Sequence, residues 1–285
     1  MKKILITGEN SYIGMSFENW ISKHPDKYAV DTISTMNDEW EKHDFSQYDT
    51  VLNVAGIAHV EARASMEPLY YKVNRDLCIK LCDKAKKSGV KQFVFLSSMI
   101  VFSNRTPVIT KDTTPNPINF YGNSKLQADD HIQAENSDSF FVASVRPCMV
   151  YGPNCKGNFG KMTSFAKYMP LFPDYKNQRS MIFIDNLCEF IKQLVDNNER
   201  GIFHPQNKEY ICTSDAVKKI AEFYGKKIWM TKMFNPFIKL FLPRLNIVNK
   251  VFGSYVYQKE ISDYNDFSYC VADFKKSIEL TLKDG

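Results

Sequence analysis

Lys3-Ile4-Leu5-Ile6-Thr7-Gly8-Glu9-Asn10-Ser11-Tyr12-Ile13-Gly14 is the stretch that decides the fold class. Residues 3–7 are a short apolar, β-branched run of strand character. Gly8 permits a tight turn at the strand's end, and Gly14 lets the following helix, expected over 12–22, pack close to a sheet. The free N–H groups of that helix's first turn then suit a pyrophosphate. The middle glycine of the dinucleotide fingerprint is Ser11 here, so the stretch alone also fits a plain strand-to-helix turn.

Outward from this turn, the same rhythm repeats. Strand-length apolar runs at 28–33, 51–55, 92–97 and 140–146 alternate with helical patterns at 66–88, closed by Gly89, and at 120–134. Strand, helix, strand with tight links implies right-handed crossovers, hence a doubly wound α/β fold with a parallel sheet of Rossmann type. After residue 150 the rhythm breaks. Residues 151–179 are rich in Gly, Pro, Asn and Lys and read as loop with one short helix. A strand at 181–184 and a helix at 186–195 follow, then a helix capped by Ser214 and ending near Gly225. The division expected is a dinucleotide-binding domain at 1–150, completed by 181–200, and a small substrate lobe from 151–180 and 201–285.

Composition narrows the function. The chain has 285 residues, 44% hydrophobic and 24% charged, a globular balance. No apolar run approaches the roughly 18 residues of a membrane span. The apolar stretch behind Met1-Lys2-Lys3 ends after three residues, too short for a signal peptide, so the expected location is the cytoplasm. The net charge of +5 is scattered, which argues against a nucleic-acid partner. The seven cysteines form no CxxC pair and no zinc-ligand spacing. They point to a reducing compartment and to no metal site.

Two further motifs carry chemistry. In Tyr121-Gly122-Asn123-Ser124-Lys125 the i, i+4 spacing puts Tyr121 and Lys125 on one helix face. An ammonium beside a phenol favours the phenolate and lowers a pKa of about 10 towards the working range of an acid/base. Phe95-Leu96-Ser97-Ser98 ends the fourth strand, where the carboxyl ends of an open sheet line the ligand crevice. A hydroxyl there suits a substrate oxygen beside the tyrosine.

A glycine turn after strand one, a strand-end serine and YxxxK on the next helix, in this order, resemble the extended short-chain dehydrogenase/reductase superfamily, in its NAD-dependent nucleotide-sugar epimerase/dehydratase branch. Asn53-Val54-Ala55-Gly56-Ile57-Ala58-His59-Val60, Tyr70-Tyr71-Lys72-Val73-Asn74, Val145-Arg146-Pro147 with Val150-Tyr151-Gly152-Pro153, and Arg179-Ser180-Met181-Ile182-Phe183-Ile184-Asp185-Asn186-Leu187 are similar to that branch's other motifs. The resemblance implies that Tyr121 is the acid/base, that Lys125 holds the nicotinamide ribose, that Ser98 orients the reacting hydroxyl and that Asn74 supports the lysine. It implies NAD, with NADP as the other choice, cradled by Gly8, Ser11, Tyr12, Ile13, Gly14, Val54, Ala55 and Gly56. Asp44 and Phe45 would meet the adenine, and Asp31, 17 positions after Gly14, the ribose, with a strand that ends at Ser34 as the other choice. For a UDP-linked sugar it implies His59 and Ser98 at the sugar and Arg179 and Asn158 at the phosphates.

Departures refine this. Met99 and Ile100 follow Ser98 where the family's dehydratases carry Asp-Glu, which argues against elimination. Met149 follows Cys148 where sugar epimerases often have Asn. The readings left open are a UDP-hexose 4-epimerase of surface-polysaccharide precursor synthesis, a 4-keto-sugar reductase using NAD(P)H, and a non-catalytic cofactor-binding regulator. A homodimer is the expected assembly. The apolar, aromatic tail at 233–257, broken by Pro236, Pro243 and Gly253, suits either weak contact with a membrane surface or packing within a substrate lobe or dimer.

Overall fold

The protein is described by a computed structural model covering residues 1–58, 63–155 and 157–283. Strand β1 (Lys2–Thr7) is the axis of the fold: Ile4, Leu5 and Ile6 are wholly buried. Burial on both faces is what a parallel sheet covered by helices demands. Around it stand β2 (Tyr28–Ile33), β3 (Thr50–Asn53), β4 (Gln92–Leu96), β5 (Phe141–Val145) and β6 (Gly201–Phe203). All pairings are parallel, in the order β2-β1-β3-β4-β5-β6. The strand order reverses between β1 and β3, so the crevice of this doubly wound sheet opens there.

The helices of seven residues or more among the described residues are α1 (Tyr12–Ile21), α2 (Leu77–Lys87), α3 (Phe120–Gln133), α4 (Asn158–Tyr168), α5 (Ile184–Asn197), α6 (Thr213–Phe223), α7 (Asn235–Phe241), α8 (Asn246–Phe252) and α9 (Phe274–Lys283). Alternation along β1 feeds two cores: Ile4 and Ile6 pack with Phe17, Leu187 and Ile191, and Leu5 with Leu81, Phe93 and Ile132. Trp20 Nε1 donates to Glu189 Oε2 at 3.0 Å and the Tyr28 hydroxyl to Asp196 Oδ1 at 2.6 Å, which fastens α1 and β2 to α5.

Three expectations are corrected. β6 completes the main sheet by pairing with β5, so residues 201–203 pack with the sheet and not with a separate lobe. Ser214 is no cap: it lies buried inside α6, accepting from Tyr175 N–H and donating to the Pro173 and Tyr175 carbonyls. Residues 151–179 hold more order than a loop, with strands Met149–Tyr151 and Leu171–Pro173 around an 11-residue α4.

Candidate active site

The glycine turn is built as its residues require. Gly8 has φ +115°, and a Cβ there would lie 2.7 Å from the Ala55 backbone nitrogen. Only glycine brings β1's end this close to the Val54-Ala55-Gly56 segment. Ser11 caps α1, its hydroxyl accepting from Gly14 N–H at 3.1 Å, so the side chain turns onto the helix's own first turn. Tyr12 and Ile13 have no intrahelical acceptor for their N–H groups, as at any helix start. The Tyr12 hydroxyl itself is buried where a Gly152 Cβ would stand 2.7 Å away, so Tyr12 offers its backbone to a ligand.

The second half of the site descends from α3. Asn119 caps this helix through Gly122 N–H at 2.8 Å. A Cβ on Gly122 would sit 2.5 Å from the Ile100 carbonyl, so glycine lets α3 approach the loop behind Ser98. That approach brings Tyr121 to the side of the loop where the Ser98 hydroxyl pulls the phenol's pKa down. Ser98 also accepts from Ile100 N–H at 3.2 Å, capping the single turn Met99–Val101.

Lys125 is buried among partners sequence reading did not foresee. Its ammonium donates to the Leu96 carbonyl at 2.8 Å and lies 4.6 Å from the Phe95 ring centre. Burial pulls its pKa down to about 8, against the pull of Cys78 and Asp129. Tyr121 differs from expectation: burial pushes its phenol up to about 12, opposed by the Ser98 hydrogen bond, with Tyr70 adding to the rise.

Asn74 lies in a π-helical turn, Tyr71–Asp76, a form frequent at functional sites. It is fully buried, accepts from Ile57 N–H at 2.8 Å, and donates to the Ile57 carbonyl and the Ser124 hydroxyl. A Cβ on Gly56 would stand 3.0 Å from Asn74 Oδ1 and 3.1 Å from Lys125 Nζ. Gly56, Asn74 and Lys125 therefore converge on one point. Behind them, Asp129, one turn beyond Lys125, accepts from Ser97 Oγ at 2.7 Å and Arg146 Nε at 2.9 Å in a buried network. An acid on the buried face of α3 was the available signal for it.

Other expected residues stand apart. Asp31 is corrected: it pairs with Leu5, two residues or about 7 Å short of β2's end. Its carboxylate accepts from the Tyr48 hydroxyl at 2.8 Å. The Ile33 carbonyl accepts from Gly8 N–H, which brings Ser34 rather than Asp31 beside the glycine turn. Asp44 is exposed, its pKa lowered by the Ser46 hydroxyl and N–H, and Phe45 turns its ring into the core, leaving its backbone for a ligand. Asn158 opens α4, exposed behind Gly157. His59 lies outside the described residues.

Arg179 is half-buried, its guanidinium donating to the Gly253 carbonyl at 3.2 Å and lying 5.9 Å from the Tyr255 ring centre. No carboxylate pairs with it among the described residues. Tyr255, which sequence reading missed, donates to the Met99 and Phe102 carbonyls and so ties this arginine's surroundings to the Ser98 loop.

The sequence profile described as "NAD dependent epimerase/dehydratase family" matches residues 4–206. The chain belongs to that family. Within it, the chain is 28% identical to the UDP-glucose 4-epimerase of Vibrio cholerae over 284 residues, covering 89% of this chain and 86% of the relative. The UDP-N-acetylglucosamine 4-epimerase structure from Bacillus cereus superposes with a TM-score of 0.75 at 14% identity, over 100% of this chain and 99% of that one. A dTDP-4-dehydrorhamnose reductase structure from Clostridium acetobutylicum superposes with a TM-score of 0.66 at 21% identity, over 80% and 82%. Both structural likenesses speak for the fold.

The glycine turn tests whether the family's cofactor fits. Gly8 lets β1's end lie against the Val54-Ala55 backbone, Gly56 puts no side chain between that segment and Lys125, and α1 presents its first N–H groups beside the turn. This is the shape a dinucleotide needs.

Proposed function

We propose that the protein is a UDP-hexose 4-epimerase acting through Ser98, Tyr121 and Lys125. The observation that carries this reading is the placement of Tyr121 and buried Lys125 one turn apart on α3, which Gly122 lets pack against the loop behind Ser98. Gly8, Ser11, Gly14, Val54, Ala55 and Gly56 would hold NAD, with the Tyr12, Ile13 and Phe45 backbones and the Asp44 carboxylate completing its cradle. NAD held there would supply the hydride acceptor and donor for the sugar's C4. Tyr121 takes the C4 hydroxyl proton as the ketone forms and gives it back as the ketone is reduced. Ser98 holds that hydroxyl against Tyr121. Lys125 releases the Leu96 carbonyl to bind the ribose, and its charge then lowers the cost of the phenolate. Asn74 fixes Ile57 and so the floor beneath the lysine, and Arg179 and Asn158 take the diphosphate.

A 4-keto-sugar reductase is the second reading, favoured by one observation. The chain is 26% identical over 192 residues to a probable low-salt glycan biosynthesis reductase of Haloferax volcanii. The two readings part on cofactor retention. Acid-quenched protein, purified without added cofactor and weighed by mass spectrometry, releases near-stoichiometric NAD if it is an epimerase, which must keep it through each cycle. Cofactor-free protein that takes up NADPH would favour the reductase. Cytoplasmic operation as a homodimer completes the proposal.

A further inference from the structure

Between Glu222 and Glu260 the chain carries seven basic residues and no acidic one, while its whole net charge is +5. This stretch therefore holds more than the entire positive excess. Six of the seven are exposed, among them Lys232, Lys239, Arg244 and Lys250. Among the described residues none of these six joins an ion pair. The same stretch exposes large apolar side chains: Trp229 is 72% exposed, Phe237 62%, Leu240 53% and Ile247 73%. Two short helices, α7 and α8, carry the last three.

We propose that this segment is a docking surface for an anionic lipid bilayer. Cations of one sign interleaved with exposed Trp, Phe, Leu and Ile match the two layers of a bilayer's edge: phosphate headgroups outside, acyl chains just beneath. Contact lies at the surface, since no helix among the described residues is long and apolar enough to cross a membrane. A second copy is the poorer occupant. A two-fold contact would set this acid-free segment against itself, with like charges facing. The segment is rooted in the site: the Gly253 carbonyl accepts from Arg179, and Tyr255 holds the Met99 and Phe102 carbonyls. Docking would thus bring the bilayer to the side of the active site where Arg179 stands. The docking itself does not depend on the epimerase reading.

The test is flotation of the purified full chain with vesicles. With about a quarter phosphatidylglycerol in phosphatidylcholine, most of the protein floats. The bound fraction falls at least about tenfold on pure phosphatidylcholine, or when salt rises from about 0.05 to about 0.5 M. The doubles Lys232→Glu/Lys239→Glu and Phe237→Ser/Ile247→Ser, all at exposed positions and checked for fold by circular dichroism, each lose at least about tenfold. Tyr121→Phe floats like the parent, which separates this result from any failure of the catalytic assignment. The proposal is overturned if the parent does not float, if it binds neutral vesicles equally, or if both doubles float unchanged. It is also overturned if the parent is a dimer that Phe237→Ser/Ile247→Ser converts to monomer, because a second copy then covers the face.

Discussion

Gly8 shows how much one residue can hold. Its φ of +115° and the 2.7 Å approach to the Ala55 nitrogen leave no place for a side chain. Gly8→Ala should cost about 1–3 kcal/mol in backbone strain alone, read as a lowered denaturation midpoint in urea, and should abolish dinucleotide binding in a fluorescence titration. A variant as stable as the parent would mean that the turn has another conformation open to it. Gly8, Tyr121 and Lys125 were legible because their spacing encodes backbone geometry and a shared helix face. Asp31 misled because the distance from Gly14 counts residues and not strand ends: register against Leu5 sets it two places too early, where Tyr48 claims it. The direction of Tyr121's shift was illegible because burial, which only the packed fold sets, is its largest cause.

Among elements, α3 does most to assemble the site. It carries Tyr121 and Lys125 and, one turn on, Asp129, which binds Ser97 and Arg146. This network joins α3 to β4's end and to the residue following β5, behind the face that carries Tyr121. Arg146 and Asp129 are 4% and 0% exposed. Removing one partner strands a buried charge, so Arg146→Ala should destabilise by about 3–5 kcal/mol, measured by chemical denaturation. A loss under about 1 kcal/mol, the worth of a surface pair, would show that water reaches the pair. Strands β1 to β5 of the main sheet were legible to within a residue or two, since burial on both faces writes continuous apolar runs. The π-helical turn around Asn74 was not: its sequence reads as ordinary helix, and the hydrogen bonds to Ile57 that use Asn74 come from a distant segment.

Across the whole molecule, the cysteines are packing groups. Cys78, Cys82, Cys148 and Cys188 are buried, and burial raises all four thiols, Cys78 to about 12. A group whose pKa is raised by folding stabilises fully below its unfolded value, here 9.0, and loses that contribution as pH climbs towards the folded value. Stability should therefore fall by about 1 kcal/mol per buried thiol between pH 9 and 10. Urea midpoints across that range, under reducing conditions, test this, and replacing Cys78 and Cys188 by Ala should flatten the slope. An unchanged slope would assign the alkaline loss to the buried tyrosines instead. The doubly wound sheet was legible as a whole, whereas the lobe's limits were not, because β6 joins the sheet through pairing with β5 that three residues cannot announce.

The central claim is that Ser98, Tyr121 and Lys125 invert C4 of a UDP-hexose. Its most direct test follows UDP-glucose and UDP-N-acetylglucosamine, each carrying deuterium at C4, by NMR with the protein and NAD. The account predicts inversion with the label kept at C4, and a turnover lower by about 10²-fold or more in Tyr121→Phe, the scale of a lost acid/base. Inversion undiminished in Tyr121→Phe, or no inversion of either sugar by protein shown to hold NAD, would contradict it.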